Sequence, residues 1–223
     1  MHPSQYKHTQ QAIASYLFKD RHIDVLDLGS ATSPGQTTTN RQLLEGFDHS
    51  YLGVDVREGN NVNQVMHKPY SIPTPSRSRD LVLSCSVFEH IPYFWASMLE
   101  VARVLRPGGI FIFTAPSRGH KHTVIDCWRY YPDGIRAMAA AAHLELLEVH
   151  THYPPLNDKR RHDYSKIDST NHYWGDTVAV FKKPERYPLR MKIIRLVVTY
   201  WANWSSKHGP LGVTPPPRSD CHL

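Results

Sequence analysis

The stretch DLVLSCSVFEHI at residues 80–91 decides the fold of this 223-residue chain. Its first half is mostly apolar, which is typical of a strand buried on both faces of a parallel sheet. Apolar side chains then recur at helical spacing over 93–105, and the turn RPGG at 106–109 stops that helix, because proline and two glycines cannot continue it. The apolar run at 110–115 predicts another strand. A strand, a helix and a second strand in this order predict a parallel pair.

The same alternation extends to both sides of this unit. Helices are predicted at 5–20, 41–47 and 132–142, and strands at 23–28, 51–55, 144–150 and 176–181, with a short strand or turn at 62–66. We expect the first helix to pack against the edge of the sheet. The order predicts an α/β fold with a Rossmann-like, mostly parallel seven-stranded sheet and helices on both faces. Its last strand pair is antiparallel, because no helix joins those two strands.

Domain organisation and composition fit one globular unit. We assign residues 1–183 to a single domain with a polar insertion at about 153–173, and residues 184–223 to a C-terminal helix and a flexible, proline-rich tail. The chain is 40% hydrophobic and 21% charged, and no apolar stretch reaches the roughly 18 residues that a membrane span needs. The first residues, MHPSQYK, lack the apolar core of a secretory signal, so we expect a cytoplasmic protein.

Charge and cysteine content exclude further classes. The net charge is +6, but the basic residues are dispersed without a run of five, so we expect no nucleic-acid partner. The three cysteines are odd in number and far apart, which argues against a disulfide framework and against a CxxC metal site.

Two residues at strand ends predict a nucleoside-like ligand. Gly29 ends the first strand and lets the backbone approach a ligand, and Asp55 ends the second strand, where a carboxylate can accept hydrogen bonds from ribose hydroxyls. This pair also suits a dinucleotide-binding fold. The first loop, GSATSPG at 29–35, lacks the pattern G-x-G-x-x-G that binds a pyrophosphate, so phosphate binding is disfavoured.

The pair Glu89-His90 and the segment RVLRPGG at 103–109 resemble class I S-adenosylmethionine-dependent methyltransferases, in particular the methyltransferase-11-like group of glycan or natural-product type. The resemblance covers about 23–150. It implies S-adenosyl-L-methionine (SAM) as the cofactor, with Asp27, Gly29 and Ser30 around its methionine end and Asp55 at its ribose. His67 stands where this family usually has an acidic residue facing the adenine. The complete set of predicted cofactor-binding residues is Asp27, Gly29, Ser30, Asp55, Val56, His67, Ser84 and Cys85.

The loop HKHTVIDCWRY at 120–130 follows a central strand, so its side chains can reach the reacting methyl group. It resembles the H…D-x-W-R-Y segment of a subgroup of these methyltransferases that serves glycan or natural-product pathways. Removal of a hydroxyl proton suits a histidine oriented by an aspartate, which makes His120 or His122, with Asp126, the candidate general base; His90 is the alternative. The predicted substrate-binding residues are Glu89, Trp128, Arg129 and Tyr130. Structural readings stay open: Glu89 caps a helix, the loop residues stabilise the loop, and Trp128 and Tyr130 close the core. We predict no metal, because Mg²⁺ favours several carboxylates and this loop offers one.

These residues predict an enzyme that methylates the oxygen of a sugar or secondary-metabolite hydroxyl, and its partners are then a small-molecule or glycan acceptor. A nitrogen or carboxyl acceptor, and an inactive SAM-binding partner subunit, are the alternatives. A last helix at 189–204 interleaves basic and apolar residues. It packs on its own domain, forms a homodimer interface, or lies on a membrane surface, which is the least favoured of the three.

Overall fold

The computed structural model describes residues 3–17, 20–33, 35–119, 121–151 and 175–208. Within these ranges, seven strands form one sheet in the order β3-β2-β1-β4-β5-β7-β6. The strands are β1 (Ile23–Leu28), β2 (His49–Asp55), β3 (Gln64–Val65), β4 (Arg79–Cys85), β5 (Leu105–Arg118), β6 (Glu145–Thr151) and β7 (Gly175–Lys182). The helices are α1 (Pro3–Tyr16), α2 (Phe94–Val104), α3 (Pro132–Ala142) and α4 (Leu189–His208), with short 3₁₀ helices at Asn40–Leu44 and Phe88–His90.

The pairing of the strands confirms the predicted fold class. β1 to β5 pair in parallel, whereas β7 runs antiparallel to both β5 and β6. No helix separates β6 from β7 in the described residues, and an antiparallel pair needs none. The predicted insertion at about 153–173 lies outside the described residues, as do all but two residues of the tail that follows position 206.

Two local predictions differ from the structure. The helix expected at 41–47 is a 3₁₀ helix at Asn40–Leu44, followed by Gly46 in the left-handed conformation (φ 83°), which a right-handed helix cannot contain. The RPGG turn lies inside β5, which already begins at Leu105. Gly108 has φ 75°, and the pairing of β4 with β5 shifts register across this turn, so the turn forms an irregularity in the strand.

The core has two layers because side chains alternate across each strand. On β5, Phe111 and Phe113 face a cluster built with α2 and α3, and Ile110 and Ile112 face a second cluster built with α1. Helix α1 contributes Ile13 to this second cluster, so it packs on a face of the sheet and not against its edge. The expectation of edge packing was wrong because the apolar spacing of a helix does not specify which part of a sheet it covers.

Helix α4 packs on its own domain along one side. Arg195 donates to Glu100 of α2 at 2.9 Å, and the hydroxyls of Ser205 and Tyr93 lie 2.8 Å apart. The opposite side of α4 is exposed. Of the helices in the described part of the chain, none has the length and apolar character that crossing a membrane requires.

Candidate active site

A cleft lies at the carboxyl ends of β1 and β4, where open α/β sheets bind their ligands. Its floor is the loop that leaves β1, and its wall is the loop that leaves β4. The lining residues include the predicted Asp27, Gly29, Ser30 and Cys85, together with Asn40 and Ser86, which the sequence did not single out.

Gly29 is required at the floor for two reasons. Its φ is 79°, a conformation that other residues rarely adopt, and a Cβ at this position would lie 2.3 Å from Cγ2 of Val87. The glycine therefore lets the loops after β1 and β4 approach each other closely at the floor of the cleft.

Asp27 is fully buried and fully partnered. Its carboxylate accepts hydrogen bonds from Nδ2 of Asn40 at 2.8 Å and from the hydroxyl of Tyr51 at 2.5 Å. Burial raises the pKa of Asp27 to about 6, although these two hydrogen bonds oppose the rise. The carboxyl is therefore mostly ionised at neutral pH, and it supplies a negative charge beside the cleft.

Two polar atoms of the cleft residues have no partner. Oγ of Ser30 and Oδ1 of Asn40 are both buried and make no hydrogen bond within the described structure. An unsatisfied buried polar atom costs about 1–3 kcal/mol, so each of these two atoms calls for a further partner, such as a water molecule or a ligand. This pair was not predicted as a unit, because the two residues are distant in sequence.

Asp55 joins the loops after β1 and β2. Its carboxylate accepts hydrogen bonds from the backbone N–H groups of Ala31 at 3.2 Å and Arg57 at 3.1 Å. The predicted Val56 and His67 follow β2 and β3 and are both exposed. The structure thus brings Asp55 to the loop of Gly29 and leaves Val56 and His67 at the surface.

The two predicted residues on β4 differ in orientation. The hydroxyl of Ser84 donates to the carbonyl of Leu28 at 3.1 Å, so it ties β4 to β1. Cys85 lines the cleft, and burial raises the pKa of its thiol to about 12, which keeps it protonated and unreactive.

Helix α1 contributes Gln5 to this region, whose Nε2 donates to Ser86 at 2.6 Å and to Thr114 at 2.8 Å. No pattern in the sequence indicated this role of α1.

Glu89 is a buried carboxyl group without a hydrogen-bond partner. Its exposure is 1%, and neither carboxylate oxygen makes a hydrogen bond in the described structure. Its pKa is raised to about 8, mainly by burial and in smaller part by the negative charge of Asp126, while its own backbone N–H opposes the rise. Cys127 fixes the neighbouring loop, since its N–H donates to the Glu89 carbonyl at 2.7 Å.

Two histidines meet beside Glu89. The rings of His90 and His122 are 5.0 Å apart, and Nε2 of His90 lies 3.6 Å from Oε1 of Glu89. The Nδ1 atom of His90 lies 2.7 Å from the Ile125 carbonyl, which can only accept, so Nδ1 carries the hydrogen. Burial lowers the pKa of His90, and this hydrogen bond opposes the shift.

Asp126 orients His122. Its Oδ2 lies 2.9 Å from Nδ1 of His122, and Arg129 donates to both carboxylate oxygens, at 2.5 and 2.8 Å. Burial by itself raises the pKa of Asp126, but the hydrogen bonds from Arg129 and from the His122 N–H, together with the positive charge of Arg129, outweigh it and hold the pKa below its usual value. An ionised carboxylate can only accept, so Nδ1 of His122 carries a hydrogen and Nε2 is the nitrogen that can take a proton.

The two aromatic residues of the loop 120–130, Trp128 and Tyr130, make hydrogen bonds and packing contacts within the chain. Nε1 of Trp128 donates to the Ile91 carbonyl at 3.0 Å, and the ring packs on Phe94. Tyr130 is 4% exposed, and its hydroxyl donates to the Phe88 carbonyl at 3.0 Å. His120, the other predicted base, lies outside the described residues.

Among the described residues, Glu89, His90 and His122 form a group with the donor atoms for a metal ion. One ligand atom from each lies within 4.8 Å of the others. Two imidazoles and one carboxylate suit zinc or another first-row transition metal better than magnesium.

Solved structures with a similar fold include one named as a methyltransferase and one complex of a methyltransferase with its activator. The Burkholderia thailandensis 1,6-didemethyltoxoflavin-N1-methyltransferase, solved with its substrate and S-adenosylhomocysteine, has a TM-score of 0.57 at 16% identity, over 81% of this chain and 79% of its own. The partner of the Trm112 methyltransferase activator of Haloferax volcanii has a TM-score of 0.56 at 17% identity, over 81% and 91%. The fold is therefore the Rossmann-like fold of SAM-dependent methyltransferases.

The sequence comparison concerns the part that builds the cleft. Residues 26–113 match the family described as "Methyltransferase domain". A Mycolicibacterium smegmatis protein named "Probable S-adenosylmethionine-dependent methyltransferase" is 37% identical over 68 residues, which are 30% of this chain and 23% of that relative. The chain thus matches less than a quarter of that relative's length. The segment 26–113, which is similar to this family, contains β1, β2, β4 and most of β5.

Proposed function

We propose that the chain binds SAM in the cleft and transfers its methyl group to a hydroxyl of a small-molecule or glycan acceptor. The observation that carries the proposal is the match of residues 26–113 to a methyltransferase domain whose cleft, in this chain, contains buried polar atoms without partners. Other α/β folds of this class bind nucleotides, but they do so through a glycine-rich phosphate loop that this chain lacks.

The residues of the cleft fit the cofactor. SAM supplies an electrophilic methyl group on a sulfonium, and its amino acid end carries an ammonium group. The ionised carboxylate of Asp27 favours this positive charge, while Ser30 and Asn40 provide the unpartnered oxygens that a bound ligand would satisfy. Asp55 keeps acceptor capacity for ribose hydroxyls beyond the two backbone hydrogen bonds that it accepts.

The cluster beside Glu89 fits an oxygen acceptor. The acceptor oxygen attacks the methyl carbon, the new O–C bond forms while the C–S bond breaks, and the hydroxyl proton passes to Nε2 of His122. Asp126 accepts from Nδ1 and stabilises the imidazolium that results. The side chain of His122 is 30% exposed, so an acceptor can reach it from solvent. The fold's main contribution is alignment of the oxygen, the carbon and the sulfur.

The acceptor class follows from the resemblance of the loop 120–130 to methyltransferases of glycan and natural-product pathways. A sugar or secondary-metabolite hydroxyl is therefore our first candidate. A nitrogen acceptor is the second candidate, because the Burkholderia thailandensis neighbour is named an N1-methyltransferase. A panel of acceptors that pairs each hydroxyl with its amine analogue separates the two.

Cofactor binding is tested by calorimetric titration of the full chain with SAM and S-adenosylhomocysteine. Replacement of Ser30 by Ala removes an unpartnered buried hydroxyl, so we expect unchanged or higher stability together with about tenfold weaker cofactor binding. Ser97→Ala is the matched control, since Ser97 is also 4% exposed but lies on α2.

The outcomes separate the competing functions. Failure of the folded chain to bind either ligand would contradict the proposal. Binding of both ligands without methyl transfer to any acceptor of the panel would assign the chain to an inactive SAM-binding partner subunit.

A further inference from the structure

The outward side of α4 carries a continuous apolar row. Leu189, Ile193, Leu196, Val197, Tyr200 and Trp204 recur at helical spacing and are all exposed, with Tyr200 at 76% and Leu189 at 69%. Ile194 and Trp201 extend the row on one flank. These eight residues, which we call the outer face of α4, are most of the large exposed apolar side chains in the described part of the chain. Monomeric proteins rarely expose a contiguous row of this kind without a partner.

The inward side of α4 packs on its own domain. Met191, Thr199 and Ala202 are buried, and Nδ2 of Asn203 donates to Ser71 at 3.0 Å. Together with the ion pair between Arg195 and Glu100, these contacts hold the helix in one orientation. The outer face is therefore presented by a fixed helix, and a rotation that buried it would expose the inward side.

The charge of α4 has one sign. The helix contains Arg190, Lys192, Arg195 and Lys207 and no acidic residue in its sequence LRMKIIRLVVTYWANWSSKH. Arg195 is paired with Glu100, whereas Arg190 and Lys192 lie on the turn where the outer face begins, and Lys207 lies at its end. Basic side chains next to apolar and aromatic ones are typical of a helix that lies in a membrane interface.

The charge discriminates between the possible occupants of this face. A second copy of the chain would place α4 against α4, because a twofold interface joins the same surface of both subunits. The basic residues of both copies would then approach without a carboxylate on either helix. An anionic lipid surface instead neutralises these charges, while tryptophan and tyrosine rings occupy the level of the headgroups.

We propose that the outer face of α4 docks the protein on a bilayer that contains anionic lipids. The helix lies parallel to the surface, with its apolar row inserted at the boundary of headgroups and acyl chains and its basic residues on the phosphates. This inference goes beyond the proposed function and does not depend on methyl transfer. It assigns the enzyme a position at a membrane surface.

The test is flotation of the full chain with vesicles of phosphatidylcholine that contain phosphatidylglycerol, at low and at high salt. We expect association with these vesicles, weaker association with pure phosphatidylcholine, and partial release at high salt, because screening weakens the electrostatic part. Leu196→Ser and Tyr200→Ser should each reduce vesicle affinity by about fivefold or more, since each removes an exposed apolar side chain from the inserted row.

Two further variants make the test specific. Lys192→Gln should reduce affinity about fivefold for anionic vesicles and leave binding to neutral vesicles unchanged. Leu147→Ser is the matched control, because Leu147 is also exposed, at 40%, but lies on β6; it should leave vesicle binding unchanged. The circular dichroism spectrum of each variant checks that the fold is kept.

Three results would overturn the inference. The first is that the wild-type chain stays unbound to anionic vesicles at low salt. The second is that Leu147→Ser loses as much affinity as Leu196→Ser. The third is a dimer by analytical ultracentrifugation that Tyr200→Ser dissociates, without vesicle binding by the wild type, which would assign the outer face to a second copy.

Discussion

Asp27 and Glu89 are both buried carboxyl groups at the carboxyl edge of the sheet, but they differ in the hydrogen bonds that they accept. Asp27 receives hydrogen bonds from Asn40 and Tyr51, whereas neither oxygen of Glu89 receives any. The pKa is about 6 for Asp27 and about 8 for Glu89, in each case raised first by burial. Internal hydrogen bonds thus keep Asp27 ionised at neutral pH, while Glu89 is mostly protonated. In the proposed function, the ionised Asp27 favours the cationic cofactor, and the neutral Glu89 forms part of the wall around the acceptor.

The largest effect is expected beside Glu89, where we propose that the methyl transfer takes place. His122→Ala should slow methyl transfer by about 10²–10⁴-fold, because the proton loses its acceptor, and cofactor affinity should stay nearly unchanged. Single-turnover kinetics with an active acceptor measures this. The matched control is His22→Ala, since His22 forms a surface pair with Asp48 at the same 2.9 Å distance. Equal rates in both variants would remove His122 as the base and leave His120 and His90 as the candidates.

Next in size is the loss of the partnered carboxylate. Asp27→Ala leaves the donors of Asn40 and Tyr51 buried without an acceptor, so we expect a loss of about 2 kcal/mol in the free energy of unfolding. Urea denaturation measures it. A neutral or stabilising effect would mean that the two hydrogen bonds do not offset the burial of this group.

Glu89→Gln should act in the opposite direction. The folded-state pKa of Glu89, about 8, exceeds the value of 4.5 for an unperturbed glutamate, so its contribution to the free energy of unfolding is complete below pH 4.5 and is lost as the pH rises through 8. Glutamine is neutral throughout, so the stability of the variant relative to wild type should increase steadily over this window. Urea denaturation at several pH values gives the curve, and a difference independent of pH would show that Glu89 does not titrate there.

A smaller effect concerns the cofactor and pH. Because Asp27 is ionised above its pKa of about 6 and the cofactor is cationic, SAM affinity should fall about tenfold from pH 7 to pH 5. Calorimetry at both pH values measures this. Asp27→Asn cannot titrate at this position and should flatten the dependence; a slope that persists in the variant would assign it to another group.

The smallest expected effect is that of metal removal. We propose catalysis without a metal, so exhaustive dialysis against a chelator should change turnover by less than about twofold. The experiment is informative because a possible metal ion site is present: donor atoms of Glu89, His90 and His122 lie within 4.8 Å of one another. Loss of activity that zinc restores in wild type, but not in Glu89→Gln, would assign these three residues to a metal ion and remove His122 as the base.

The sheet was predictable from the sequence because buried parallel strands and their helices are encoded locally. The apolar runs at 23–28, 80–85 and 110–115 and the helical spacing over 93–105 fixed the central unit without knowledge of any contact. Gly29 and Asp55 were found for the same reason, since the end of a strand is visible in sequence and the edge where parallel strands end binds ligands. The prediction of an α-helix at 41–47 was wrong, because so short a segment carries too few residues to distinguish an α-helix from a 3₁₀ helix.

The partners of these residues were decided by tertiary structure. Periodicity carries no information on which distant side chains meet. It therefore did not reveal that Asn40 and Tyr51 both donate to Asp27, that α1 brings Gln5 to Ser86, or that the carboxylate oxygens of Glu89 make no hydrogen bond. Helix α4 shows the same division. Its sequence determines a basic helix that is apolar around most of its circumference, and only the packing of one side on α2 decides that the opposite row faces outward. Local sequence fixes which elements form, whereas burial and pairing depend on contacts between elements far apart in the chain.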